Sequence, residues 1–323
     1  MSTTRPRRGL AAVILSSVVT LAVLGAVALA GCGSSSASAG EASPAASVSS
    51  GPITVTDGTG VTVTLPQPAE RIVSLAPANT EIAYAIGAGG KMVAGTSYDD
   101  YPEEAKSLPK TGDFANPNVE KIASFNPDLV LAAGGIQDKL RGKLEGLGMQ
   151  VYVVDPKTYD GVMTDITNLG RLTGSTEQAQ QVADTMQKAK DDVQAEVASA
   201  SRPATFLEIY SKPLMTAGGE TFIDDMITLA GGTNLGATAG AGFPRFSTEV
   251  LFANDPPIYI ADSGSMSEPG DISKRAGFAD LTAVREGHVY VIDDSIIARP
   301  GPRLAEGLRE LVKMIHPEAT AAP

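Results

Sequence analysis

Two short segments near the start of the folded chain alternate apolar and polar side chains. Ile53-Thr-Val-Thr-Asp57 and Val61-Thr-Val-Thr-Leu65 flank Gly58-Thr59-Gly60. A period of two around a glycine-bearing turn predicts a β-hairpin. Downstream the pattern changes. Near-continuous apolar runs at 71–75, 92–94, 128–132 and 151–154 have the character of strands buried on both faces. Between them, 80–86 is stopped by Gly87 and 136–147 by Gly148, and both have helical character. Strands alternating with helices predict an α/β fold with mainly parallel sheets.

Residues 175–200 break that rhythm. Ser175-Thr-Glu-Gln178 has the form of a capping box. Apolar residues then recur at Ala179, Val182, Ala183, Met186, Ala189, Val193 and Val197, until Arg202-Pro203 ends the helix. Such a helix would be roughly 40 Å long. This predicts a rigid rod over 173–202 between an N-terminal lobe (51–172) and a C-terminal lobe (203–317), with 318–323 as a tail. A crossover helix within one sheet is the alternative. After the rod, strands are predicted at 205–210, 258–261 and 289–292. A helix over 220–230 is closed by Gly231-Gly232. A final amphipathic helix over 303–315 places Leu304, Leu308, Leu311, Val312 and Ile315 on one face.

The lobes share a repeated segment. Glu120 to Gly135 aligns without a gap on Glu249 to Gly264, an offset of 129 positions. Both have the form Glu-x6-Pro-x-[Leu/Ile]-x-[Leu/Ile]-Ala-x2-Gly: a short helix, a proline break, a buried strand and a glycine loop. Two lobes of similar build would therefore each present one acidic residue at an equivalent place.

The N-terminus is a targeting segment. Arg5, Arg7 and Arg8 precede an uncharged run from Leu10 to Ala30. Its length suits either a signal segment or a membrane span. Leu29-Ala30-Gly31-Cys32 resembles the lipobox of bacterial lipoproteins, which implies cleavage of 1–31 and lipidation of Cys32, the single cysteine. A lone thiol forms no intramolecular disulfide and no multi-cysteine metal site. Residues 33–50 are nearly all Ser, Ala and Gly, the composition of a flexible tether. The implied location is the extracytoplasmic face of the cell membrane, held by the lipid on Cys32. With 22 basic and 37 acidic residues left after removal of the three leader arginines, the mature chain has net charge −15. That surface disfavours nucleic acid and broad contact with anionic lipid, and suits a basic protein partner.

Further residues carry a family resemblance. Arg71-Ile-Val-Ser-Leu-Ala-Pro77-Ala-Asn-Thr80-Glu81, Gly87-Ala-Gly89, Tyr98-Asp-Asp-Tyr101-Pro102, Asn126-Pro127-Asp128 and Arg299 before Pro302-Arg303 are similar to the vitamin B12/ferric-siderophore class of ABC-transporter substrate-binding proteins. The resemblance spans roughly 51–316. It implies two Rossmann-like α/β lobes joined by one long stiff helix, with a ligand held in the cleft between them. It implies no enzymatic activity and no cofactor: the bound molecule would be cargo. The implied partners are a small molecule and an ABC permease dimer with its cytoplasmic ATPase. Glu120 and Glu249 match the positions at which this family docks one glutamate per lobe onto permease arginines.

Cleft residues are expected in loops at strand ends. The N-terminal candidates are Pro77, Ala78, Asn79, Ser97, Tyr98, Tyr101, Phe114, Gly134 and Gly135. The C-terminal candidates are Tyr210, Lys212, Phe243, Arg245, Ser263 and Arg299. Two distant histidines, His288 and His316, and no free thiol argue against a multi-histidine metal site. Among the family's ligands, the Tyr98–Pro102 motif is closest to the cobalamin binders. Several of those wall the corrin ring with tryptophan, and this chain has none; Phe114 and Phe243 are the replacements expected here. Arg245 and Arg299 would equally suit an anionic ferric siderophore, and haem is a further alternative.

Overall fold

The alternating residues around Asp57 form the predicted hairpin. In the computed structural model, which describes residues 51–264 and 268–318, β1 (Ile53–Thr56) pairs antiparallel with β2 (Thr62–Leu65). Val55, Val63 and Leu65 are buried, and the threonines between them face water. Asp57 holds the turn. Its carboxylate accepts from the backbone of Thr59 (3.0 Å), Val61 (3.0 Å) and Val153 (3.1 Å), and from Arg141. The leader, the tether and Cys32 lie outside the described residues, as does the tail beyond Glu318.

The buried-type runs then build a four-stranded parallel sheet. The chain order is β3 (Ile72–Ser74), α1 (Pro77–Ala85), β4 (Met92–Ala94), α2 (Val119–Ser124), β5 (Leu129–Ala133), α3 (Asp138–Glu145) and β6 (Gln150–Val154). The spatial order is β4-β3-β5-β6. Helix α3 is shorter than the predicted 136–147, because Ile136 and Leu147 stay exposed and the Gln137 side chain is bound elsewhere.

A helix that the sequence reading missed follows: α4 (Tyr159–Thr173), capped by Thr158 and stopped by Gly174 at φ 75°. The rod is α5 (Thr176–Glu196). With 21 residues it is about 31 Å long, shorter than the expected 173–202. The capping box does not form. Ser175 has φ −105° and ψ 39° and makes no side-chain cap. Its backbone N–H closes the α4–α5 turn on Gly170 O at 2.7 Å, and that contact dictates its conformation.

The second sheet holds β7 (Ala204–Ser211), β8 (Leu214–Thr216), β9 (Thr233–Asn234), β10 (Ile258–Ser263) and β11 (Val289–Asp293). Its order is β11-β10-β7-β8, with β9 beside β7; only β8 is antiparallel. The helices among these strands are α6 (Phe222–Leu229), α7 (Thr248–Asn254), α8 (Thr282–Glu286) and α9 (Asp294–Ile297), with α10 (Leu304–Ile315) at the end. Helix α5 packs on α4 and α1 of the first half and on α10 and α6 of the second. One apolar core runs through both halves, joining Ile72, Leu131 and Ile166 to Met186, Leu207, Ile260 and Leu308. Close packing of this kind leaves little slack for the sheets to move apart.

The repeat is visible in the backbone. Glu120 and Glu249 are each the second residue of a helix, α2 and α7. Ile122 and Leu251 are the buried anchors of those helices. Asn126 (φ 47°) and Asp255 (φ 40°) are both left-handed, and each precedes a buried proline. Short polar side chains tolerate that conformation better than most.

Behind the first sheet, Tyr152 Oη donates to Asp165 Oδ1 at 2.6 Å, while Asp165 Oδ2 is buried without a hydrogen-bond partner. Burial pushes this carboxyl up to about 7; the Tyr152 hydrogen bond opposes the shift, and the charges of Asp57 and Asp155 add to it. The folded state thus keeps a proton that the unfolded chain sheds near pH 4. The resulting penalty builds as pH rises from about 4 to 7 and is complete above 7. Asp165→Asn is therefore expected to flatten the fall in stability between pH 5 and pH 8 by about 2–3 kcal/mol. Melting curves at the two pH values check this, and an unchanged fall contradicts it.

Candidate functional site

The carboxyl ends of both sheets face one cleft. A cavity of about 590 Å³ there is lined by Phe114, Gly134, Gly135 and Asp155 from the first half, and by Glu220, Phe222 and Phe243 from the second. A cavity of about 340 Å³ adjoins it, sharing Phe114 and Ala298, and is lined further by Pro77, Tyr98, Asp113, Asp262, Asp294 and Arg299. Both volumes fall in the range of small-molecule sites.

Backbone geometry sets these walls. Pro77 is the first residue of α1, where its fixed φ suits a helix start. A Cβ on Gly134 would lie 2.3 Å from Asp155 Cγ, so glycine lets Asp155 pack at the end of β6. A Cβ on Gly218 would meet Gly240 O at 2.2 Å. That close approach allows Gly218 N to donate to Gly242 O (2.8 Å) and Gly219 N to Gly240 O (2.9 Å), which brings Phe243 to the cleft. Gln137, missed in the sequence, is a buried brace. Its Nε2 donates to Leu75 O and Phe114 O, both at 2.7 Å, and its Oε1 accepts from Ala133 N at 2.8 Å. It fixes Phe114 against the ends of β3 and β5.

Of the expected cleft residues, Phe114, Gly134, Gly135 and Phe243 line the larger cavity, and Pro77, Tyr98, Phe114 and Arg299 the smaller. Ala78 and Asn79 are buried behind it, with Asn79 Nδ2 donating to Ala132 O at 3.1 Å. They support the floor and expose almost no surface to a ligand. Ser263 ends β10 beside Asp262, and it is Asp262 that lines the cavity. Ser97 is exposed, with its Oγ donating to Gly112 O. Tyr101 lies under the Arg303 guanidinium, 4.5 Å from its ring centre.

Three C-terminal candidates stand apart. Tyr210 is exposed on β7 opposite Met215, and Arg245 bridges to Met215. Neither is among the residues lining the two cavities. Lys212 lines a different groove with Lys274 and Arg275. The cause is the β7–β8 hairpin, whose antiparallel turn carries 210–214 to the sheet edge.

Arg299 is also less available to an anion than its sequence suggests. It donates to Asp100 Oδ1 (2.5 Å) and to Glu81 Oε1 (2.9 Å). Arg303 holds the same Glu81 through Nε (2.8 Å) and Nη2 (2.6 Å). Burial opposes the charge on Arg299, but the hydrogen bonds to Asp100 and Glu81 hold its pKa above the usual range. The Arg299 hydrogen bond in turn holds Asp100 below the usual carboxylate range. The cluster joins α1 and the Tyr98–Tyr101 loop to the segment after α9.

The remaining charge in the cleft is acidic: Asp113, Asp138, Asp155, Glu220, Asp262 and Asp294, with Lys157 already paired to Asp155 at 2.8 Å. Burial pushes the Asp262 carboxyl up to about 7, and the charges of Asp294, Glu208 and Asp293 reinforce the shift. Among the described residues no cluster of three His, Cys, Asp or Glu side chains is placed to hold a metal ion. The arrangement offers aromatic faces, hydrogen-bond acceptors and little free positive charge.

Known proteins share this build. A periplasmic binding protein profile matches residues 72–296. The chain is 32% identical over 305 residues to the uncharacterized ABC transporter substrate-binding lipoprotein YvrC of Bacillus subtilis, covering 92% of this chain and 95% of that protein. The periplasmic vitamin B12 binding protein BtuF of Vibrio cholerae superposes with a TM-score of 0.71 at 30% identity, covering 79% of this chain and 99% of that one. The periplasmic heme-binding protein RhuT of Roseiflexus sp. RS-1, in apo form, superposes with a TM-score of 0.69 at 27% identity, covering 78% and 99%.

Proposed function

The chain belongs to the periplasmic binding protein family and is the substrate-binding component of an ABC importer, not an enzyme; from that premise we propose that it captures cobalamin or a related corrinoid. The observation that carries the choice is the charge of the cleft. A ferric siderophore or a haem propionate needs uncommitted cations, and Arg299 and Lys157 are both engaged by carboxylates. A corrinoid rim carries neutral amides, whose N–H groups suit the acceptors Asp113, Asp262 and Asp294. Phe114 and Phe243 supply flat apolar walls.

In this reading Glu120 and Glu249 dock the loaded protein onto a permease dimer driven by a cytoplasmic ATPase. Cys32 carries the lipid that keeps it at the extracytoplasmic face of the membrane. The lobes are residues 51–172 and 203–317, bridged by the rod. A haem or ferric chelate is the second reading, favoured by the Tyr98 phenol at the smaller cavity and by the likeness to RhuT.

Calorimetric titration decides between them. Cyanocobalamin is expected to bind with a Kd below about 1 μM, which is roughly 8 kcal/mol. Phe114→Ala with Phe243→Ala is expected to weaken it at least about tenfold, the loss of two aromatic contacts. Haemin and ferric siderophores are expected to give no saturable heat. The opposite pattern selects the second reading.

A further inference from the structure

The two proposed docking helices are equivalent in backbone but not in chemistry. At the offset of 129, Lys121 of α2 corresponds to Val250 of α7, and Ala123 to Phe252. Each helical residue advances roughly 100° around the axis. Glu249 therefore stands between Val250 on one side and Phe252 on the other. Both flanks are large, apolar and open to water, at 42% and 37% exposure, while Leu251 points into the core. Phe252 is held in place edge-on against Phe278, with ring centroids 5.4 Å apart. Glu120 has exposed Lys121 on one side and half-buried Ala123 on the other.

A groove of about 380 Å³ opens beside α7, lined by Thr248, Lys212, Lys274, Arg275 and Asp271 among others. Arg275 is bound to Glu208 and to Pro269 O, and Lys274 to Asp271. Lys212 makes no hydrogen bond or ion pair among the described residues. The C-terminal docking face thus presents one acid flanked by two exposed apolar side chains, with the uncommitted Lys212 in the adjoining groove.

We propose that docking is lopsided, a reading that rests on the docking role of the two glutamates. The α7 face takes a permease surface on which an arginine is collared by apolar side chains and an acidic side chain stands beside it, reaching Lys212. There water is excluded and the ion pair is strengthened. The α2 face, which has Lys121 and a small, half-buried Ala123 in place of two large exposed apolar side chains, takes a solvated arginine and contributes mainly orientation and encounter rate.

The test is binding of the lipid-free protein to its cognate permease–ATPase complex in nanodiscs, at low and at physiological salt. Val250→Ser and Phe252→Ser are each expected to raise Kd about tenfold, the order seen on losing an apolar hot-spot contact, with little change in salt dependence. Lys212→Ser is expected to raise it severalfold. Lys121→Ser is expected to leave it within about twofold, as a rim residue does. Because Phe252 touches Phe278, melting curves accompany the series, and Val250→Ser serves as the variant without that contact. If the flank variants bind like wild type while Glu249→Ala does not, the lopsided arrangement is overturned and docking stands. If Glu249→Ala also binds like wild type, the docking reading itself falls.

Discussion

Uptake is expected to vanish when Glu120→Ala and Glu249→Ala are combined, while ligand affinity and stability stay close to wild type. Both carboxylates are exposed, and neither has a hydrogen-bond or ion-pair partner among the described residues. Their helices are capped without them, through Asn118 Oδ1 to Lys121 N and Ser247 Oγ to Glu249 N. Substitution should therefore cost folding no more than about 0.5 kcal/mol each, including the lost interaction with the helix dipole. A docked pair is a different case. Truncating one partner of a desolvated, hydrogen-bonded ion pair costs about 2–5 kcal/mol at an interface. The α7 pair alone accounts for a fall in productive docking of at least about thirtyfold, and the solvated α2 pair adds a slower, less well oriented encounter. ATPase stimulation and ligand transport in proteoliposomes measure it. Normal transport by the double variant, with ligand binding retained, would remove both glutamates from the interface.

That prediction rests on a pattern legible in the amino-acid sequence alone. The repeat around Glu120 and Glu249 proved to be two equivalent helix–strand units, down to the left-handed Asn126 and Asp255. The legible features were local ones: alternation in the hairpin, apolar runs in the strands, and helical spacing in α5 and α10. Helix α4 escaped although Tyr159, Val162, Ile166, Leu169 and Leu172 carry the right spacing, because Gly161 and Gly170 dilute its propensity. The structure supplies the reason for one of them. A Cβ on Gly170 would lie 2.3 Å from Ala179 Cβ, so glycine is needed for α4 to meet α5. Tertiary packing selected a residue that local propensity counts against.

The cleft was legible by the same measure. Residues just beyond the ends of parallel strands, such as Pro77 and Gly135, lie where the α/β rule places them. Lys212 and Arg245 do not, because an antiparallel hairpin at the end of β7 redirects the chain, and no motif announces β8. Asp262 was overlooked as the tail of an apolar strand, and Gln137 as a polar residue in a helix. Gln137 acts through Leu75 and Phe114, which are remote in sequence. Arg299 was located, but its partners Glu81 and Asp100 lie 218 and 199 residues away, and no spacing rule connects them.

Those partners lead to the largest expected effect on stability. Glu81→Ala is expected to destabilise the fold by about 3–4 kcal/mol. The Glu81 side chain is only 2% exposed and receives three hydrogen bonds, from Arg299 Nη1 and from Arg303 Nε and Nη2. The intact cluster need not contribute much net, since desolvating the charges offsets their attraction. Removing one member is asymmetric. Arg299 keeps Asp100, but among the described residues Arg303 is left half-buried with direct contacts only to Ser295 Oγ and the Tyr101 ring. The cost is that of a guanidinium without its counter-charge in a poorly hydrated place. At about 2–4 °C per kcal/mol for a domain of this size, the melting temperature should fall by roughly 10 °C. Arg303→Ala added to Glu81→Ala should recover part of that loss, with a coupling of about 1–3 kcal/mol. The same ties run from α1, under the cleft floor, to the segment after α9. Their loss should therefore also loosen the two halves against each other and weaken the ligand, where an ordinary surface pair would leave affinity untouched. Urea denaturation of the single and double variants, with ligand titration of each, gives both readouts. A Glu81→Ala protein that melts within a degree of wild type would show that the cluster adds nothing the shared apolar core does not already provide.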